Sequence, residues 1–270
     1  MYIQYEEKRA ALVLEYDPAE RHRALEKLVT KNLDNKQLKK YYRFRPDRWY
    51  GGIATADVVG CGLLCRFCWV SDTVLHRPSE VGTFYSPSDV AHRLLSIAER
   101  KSFSQLRVSG GEPTIGRKHL LQLLDELALS RGYKFILETN GILIGSDSSY
   151  AEDLSRYRFL HVRVSLKGCN EDEFMKLTGA KPESFNLQLK ALQKMIDAGV
   201  KCHPAVMTSF STEESYRNLI ERIGQIDLSL AQEVEIEELI LYGHVAERLK
   251  RYGLDYHDSH LPHKVPQKLI

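Results

Sequence analysis

The sequence predicts an α/β protein: a partial (β/α)6, TIM-like barrel of parallel strands, preceded by a helical N-terminal extension. Two observations carry that expectation. Six short runs of β-type residues alternate with amphipathic segments, the pattern of a parallel sheet with right-handed crossovers. Every unusual motif in the 270 residues also follows one of those runs, where the loops of such a barrel gather and carry its chemistry. Three parts are expected: residues 1–49 as a basic helical extension, 50–253 as the barrel, and 254–270 as a tail.

The elements read as follows. In "DPAERHRALEKLVTKNL", Pro18 suits a first helical turn and Asp17 its cap. The β-type runs are Ile53–Val59, Gln105–Ser109, Lys134–Glu138, Leu160–Leu166, Lys201–Met207 and Val234–Leu241. Between them lie "SPSDVAHRLLSIAERK", "GRKHLLQLLDELALSRG", "YAEDLSRYR", "ESFNLQLKALQKMIDAG" and "STEESYRNLIERIGQI", and "HVAERLKRYG" follows the last. Ser86 with Asp89, and Thr212, mark helix starts. Gly132, Gly199 and Gly253 mark stops. Internal repeats and low-complexity segments are not seen.

No apolar run approaches the ~20 residues that cross a bilayer, and the charged N-terminus does not read as a secretory signal. The expectation is a cytoplasmic protein without a membrane, in a compartment that keeps thiols reduced. The net charge of +2 is nearly balanced, but "KQLKKYYRFRPDR", Lys36 to Arg48, sets six basic residues among Tyr41, Tyr42 and Phe44. Such interleaving can grip a nucleic-acid backbone and stack on bases. It also suits a solvated segment whose aromatics dock on the main domain.

Three of the five cysteines, Cys61, Cys65 and Cys68, fall in "GCGLLCRFCWV" at a C-x3-C-x2-C spacing. An odd number at tight spacing is a poor disulfide framework and a good metal or redox motif. A structural zinc site wants four ligands. Three cysteines in one loop can instead hold a four-iron cluster and leave one iron without a protein ligand.

With Phe67 in the aromatic place, this loop resembles the C-x3-C-x-aromatic-C signature of the radical S-adenosylmethionine (SAM) enzymes. The resemblance implies a [4Fe-4S] cluster on Cys61, Cys65 and Cys68, whose open iron chelates SAM. An electron from the cluster then yields methionine and a 5′-deoxyadenosyl radical that abstracts hydrogen from a substrate, an oxidoreductase-like or activase-like chemistry. An external electron donor of flavodoxin or ferredoxin type is implied as well.

The same resemblance assigns the rest of the rim. Phe67 would lie near the adenine. In "SGGEPT", paired glycines admit close backbone approach. Gly110, Gly111 and Glu112 match the motif that faces the SAM ammonium, and Pro113 holds its shape. "ETNG" puts Asn140 at the third strand's end, where the resemblance makes it a further SAM-binding residue, although Asn-Gly is also an ordinary turn pair. "VRVSLKG" sets Ser165 and Lys167 on one side of the fourth strand, suited to a ribose hydroxyl and a carboxylate.

Within the superfamily the pattern is nearest the glycyl-radical-enzyme activating enzymes, such as pyruvate formate-lyase activase, over roughly residues 51 to 253. His244 matches their strand-six histidine, with spacing one residue longer. Ser165 stands where aspartate is usual, the N-terminal extension is unusual, and the ferredoxin insert is missing. It is the resemblance to the activases, and not these departures from it, that implies a protein glycine as substrate. Two alternatives stay open: a tRNA base, suggested by Lys36–Arg48 and by the Cys68-Trp69 pair of wybutosine-type enzymes, or a non-catalytic iron–sulfur or zinc module. Cys169 reads as an unreactive thiol near the rim, Cys202 as packing, and the His257, His260 and His263 tract as flexible surface.

Overall fold

Asp17 accepts from the backbone N–H groups of Ala19 and Glu20, and Pro18 occupies the first turn, so the helix Pro18–Val29 starts as its sequence dictates. The computed structural model describes residues 15–267, and the part of the helical expectation that covers residues 1–14 lies outside them.

Residues 30–47 depart from the expected helix. They form β1 (Thr30–Leu33) and β2 (Lys36–Asp47), an antiparallel hairpin turned at Asp34, whose φ is 50°. Tyr41, Tyr42 and Phe44 are residue types that fit a pleated, half-buried surface. β2 then pairs antiparallel with β3 (Ile53–Val58), and β4 (Thr83–Tyr85) pairs antiparallel with β2. Residues 30–47 are thus part of the main sheet, and the helical part of the described extension is Pro18–Val29.

From β3 onward the expected parallel series appears: β5 (Gln105–Gly110), β6 (Lys134–Thr139), β7 (Leu160–Leu166), β8 (Cys202–Met207) and β9 (Glu235–Glu237), each beside the one before. The strand order β1-β2-β3-β5-β6-β7-β8-β9 leaves β9 at an open edge, so the barrel is partial. The last β-type run divides at Glu238. Its second half is β10 (Leu239–Ile240), which pairs in parallel with β11 (Ser259–His260). The tail is therefore anchored in its described part, with His260 against Glu238.

Crossover helices begin where expected. Ser86 and Asp89 form a reciprocal capping box for Pro87–Lys101, and Thr212 caps Glu213–Ile226. Strand alternation divides the sheet chemically. Leu106, Val108, Phe135, Leu137, Val162 and Val164 are buried in the core shared with Leu94 and Leu124 of the helices. Thr55, Asp57, Arg107, Ser109, Glu138, Arg163 and Ser165 alternate with apolar neighbours and take the other face.

Candidate active site

The cysteine loop leaves β3 through Gly60, at φ 94°, and is tied down by segments distant in sequence. Leu64 donates its N–H to Tyr16 Oη at 2.9 Å, and Tyr16 Oη donates to the Thr178 carbonyl at 3.2 Å. Arg66 bonds the carbonyls of Leu177 and Lys176. From the C-terminal helix Gly243–Tyr252, the buried Arg248 guanidinium donates to the Cys68 carbonyl at 2.8 Å, to the Val70 carbonyl at 3.1 Å and to Asp72. His244 Nε2 donates to the Trp69 carbonyl at 2.9 Å.

All five cysteines are free thiols. Burial pushes Cys65 up to about 12 and pushes Cys61 and Cys68 upward, with the Glu112 charge adding at Cys61. Lys167 and Arg248 act in the opposite direction at Cys65 and Cys68. A bound metal cation favours the thiolate form of such buried cysteines. Among the described residues, no group of three or more His, Cys, Asp or Glu side chains is placed to hold a single ion. Three soft donors in one shielded, well-anchored loop suit an iron–sulfur cluster.

The Gly-Gly-Glu-Pro segment serves this loop directly. A Cβ on Gly111 would lie 2.3 Å from the Gly60 carbonyl oxygen, and only glycine admits that approach. The N–H of Gly111 donates to Val58 O at 2.8 Å, and that of Glu112 to Gly60 O at 2.6 Å. The Glu112 carboxylate, 1% exposed, accepts from Thr114 N and Oγ1, from Thr139 Oγ1 and from Asn140 N. Four protein donors engage the Glu112 carboxylate, which joins the second and third rim loops. Pro113 offers its carbonyl to Lys39, as do Glu112 and Ile115, at 2.6 to 3.0 Å.

Lys39 is 1% exposed, and burial pulls its pKa to about 7 against the charge of Glu112. Lys40 is also buried and bonds the carbonyls of Pro78 and Ser79. Tyr41 bonds His119, and Arg43 pairs with Asp57. The basic-aromatic segment is thus mostly an internal strand. Of the two readings of this segment, a nucleic-acid grip through Lys39 and Lys40 does not fit, because their ammonium groups are turned inward onto backbone carbonyls.

Asn140 lies between the rim and the cysteines: its Nδ2 sits 3.2 Å from His22 Nε2 and 3.6 Å from Cys61 Sγ. Lys167 bonds Ser165, which donates to Glu237 at 2.9 Å, and the Lys167 ammonium stands 5.7 Å from the Phe67 ring centroid. Phe67 packs on Phe210. The structure thus brings Phe67, Ser165 and Lys167 to one mouth, beside the loop that Gly110, Gly111, Glu112 and Asn140 support. His244 is occupied with the loop backbone.

Below this mouth the sheet carries an ionic network. Arg107 pairs with Asp47 and Glu138, and Arg163 pairs with Glu235 and Glu237. Burial alone would raise Glu138, yet Arg107, Arg163 and hydrogen bonds from Ser109 and Tyr50 hold it down at about 2. The sequence pattern singles out Glu138 and Trp69 but not Arg107, Arg163, Arg248, His22 or Trp49, which stacks on Trp69. The signal was present in "LRVS" and "VRVS", where arginine alternates with valine on a strand buried on both faces.

Comparison with known proteins decides the family. Residues 57–223 match the model of the radical SAM superfamily. The chain belongs to that superfamily. It is a radical SAM enzyme, and the family's cofactors are a [4Fe-4S] cluster and SAM. Among curated relatives, a GTP 3′,8-cyclase of Helicobacter pylori (strain HPAG1) is 26% identical over 157 residues, 57% of this chain and 46% of that protein. A putative glycyl-radical enzyme activating enzyme of Methanocaldococcus jannaschii is 24% identical over 120 residues, 44% of this chain and 41% of that one. The chain spans about half the length of the curated relatives it matches. In fold it is similar to SuiB of Streptococcus suis bound to SAM, with a TM-score of 0.54 and 20% identity over 72% of this chain and 44% of SuiB. No helix among the described residues is long and apolar enough to cross a membrane.

Proposed function

We propose that Cys61, Cys65 and Cys68 ligate the [4Fe-4S] cluster and that the chain cleaves SAM reductively to act on a polar, charged substrate held over the ionic face of the sheet. The observation that carries this reading is three cysteines on one loop that Arg248, His244 and Tyr16 tie down, in a barrel whose sheet is lined with paired arginines and carboxylates. When bound, the cluster supplies the electron that splits SAM into methionine and a 5′-deoxyadenosyl radical able to take hydrogen from a substrate.

The chain's own residues do the rest. Arg248, His244, Tyr16 and Gly111 fix the loop. Lys167, beside Phe67, offers a cation to the SAM carboxylate, and Ser165 a hydroxyl to its ribose. Phe67 and Phe210 exclude water from the adenine side. Gly110, Gly111, Glu112, Pro113 and Asn140 act by holding shape. The ionic face favours a small polar substrate over a protein glycine. The similarity to a protein named GTP 3′,8-cyclase agrees with that preference. A flavodoxin- or ferredoxin-type donor and a reducing, cytoplasmic setting complete the reading.

Anaerobic reconstitution with iron and sulfide, then SAM and dithionite, tests it. Formation of 5′-deoxyadenosine that is lost in Cys61→Ser, Cys65→Ser and Cys68→Ser supports the assignment. An iron-loaded protein that leaves SAM intact refutes it. Hydrogen transfer from a glycine of a partner protein would refute the small-substrate part alone.

A further inference from the structure

The amide of Asn140 is held in one orientation by three neighbours. Its Oδ1 accepts the N–H of Ile142 at 3.0 Å, which leaves Nδ2 as the end facing His22 and Cys61. His22 Nδ1 lies 2.6 Å from the Pro18 carbonyl, which can only accept, so the ring proton sits on Nδ1 and Nε2 is an acceptor. That acceptor takes one Nδ2 hydrogen, and the other is aimed at Cys61 Sγ. His22 is 1% exposed and Asn140 5%, so water does not compete for either group. The arrangement also explains Gly62: a Cβ there would lie 2.3 Å from the His22 ring.

We infer that Asn140 is a positioning residue that donates an N–H···S hydrogen bond to the cluster ligand Cys61, and that His22 sets the amide for it, so that the pair tunes the reduction potential of the cluster. This rests on the proposed three-cysteine cluster. Reduction adds negative charge to a cluster and its thiolates, and a hydrogen bond to a ligand sulfur favours the reduced form. Without the donor, the cluster is harder to reduce. The role differs from the contact with SAM expected of Asn140, and it gives the helix Pro18–Val29 a task in the chemistry.

The test is an anaerobic redox titration of reconstituted wild type, Asn140→Leu, His22→Leu and His22→Gln, with iron content measured alongside. Asn140→Leu is expected to load iron and to show an about tenfold lower ratio of reduced to oxidised cluster at fixed ambient potential, about 59 mV for a one-electron couple. His22→Leu is expected to shift the same way by less, and His22→Gln, which keeps an acceptor, to recover part of the difference. Iron-loaded Asn140→Leu and His22→Leu proteins that titrate with the wild type overturn the inference. If Asn140→Leu does not hold iron, His22→Leu decides: a shifted potential supports the inference, and an unshifted one overturns it. A wild-type protein that binds no iron would instead overturn the cluster assignment itself.

Discussion

Lys39 and Lys36 lie three residues apart in one basic segment, and the structure gives them opposite fates. Lys36 is exposed and reaches Ser88 Oγ at 3.3 Å, whereas the Lys39 ammonium is buried against the carbonyls of Glu112, Pro113 and Ile115. Lys39→Met keeps the stem and removes the charge, which leaves three buried carbonyls without that donor. At about 1 kcal/mol for each lost partner, the expected destabilisation is about 3 kcal/mol. For a chain of this size, 3 kcal/mol corresponds to a fall in Tm of roughly 6–12 °C. Lys36→Met should stay within about 0.5 kcal/mol of wild type. Urea and thermal unfolding followed by circular dichroism measure both. A Lys39→Met protein within about 1 kcal/mol of wild type would refute the view that this lysine pins the Gly-Gly-Glu-Pro loop.

Arg248→Met should release the cysteine loop from the C-terminal helix and lower both stability, by about 3 kcal/mol, and retained iron. Arg248→Lys should rescue little, because one ammonium does not span the fork to two carbonyls and Asp72. Gly111→Ala forces a Cβ against the Gly60 carbonyl and should unseat the loop, read as reduced iron content. Gly243→Ala, with nothing within 4 Å, should leave iron content unchanged. Glu138 is held at about 2, below its usual 4.5, so its stabilising contribution is complete above about pH 4.5 and is lost as pH falls toward 2. Glu138→Gln should therefore flatten the acid limb of an unfolding-against-pH curve in that window, and an unchanged slope would count against the pairing.

The sequence by itself determined the parallel β/α series, its order, the helix caps at Asp17, Ser86 and Thr212, and the gathering of cysteines, glycines, Asn140 and Lys167 on one rim. These features are local: period, cap chemistry and spacing are written within a few residues of where they act. Residues 30–47 misled because a basic, polar run carries no sign of which face will be covered. Their aromatics found partners on β3 and β4, and the ammonium of Lys39 found carbonyls about 75 positions away, contacts that only the folded chain brings together.

The same separation governs the site. That Glu112 is engaged by protein donors, that Arg248 clamps a loop 180 residues earlier in the chain, and that His22 orients Asn140 toward Cys61 depend on the relative placement of distant segments. Hydrogen bonds fall away within a fraction of an ångström, so their partners follow from tertiary packing and not from residue type. The sequence drew the rim residues out of the chain, and the three-dimensional arrangement decided which of them engage one another.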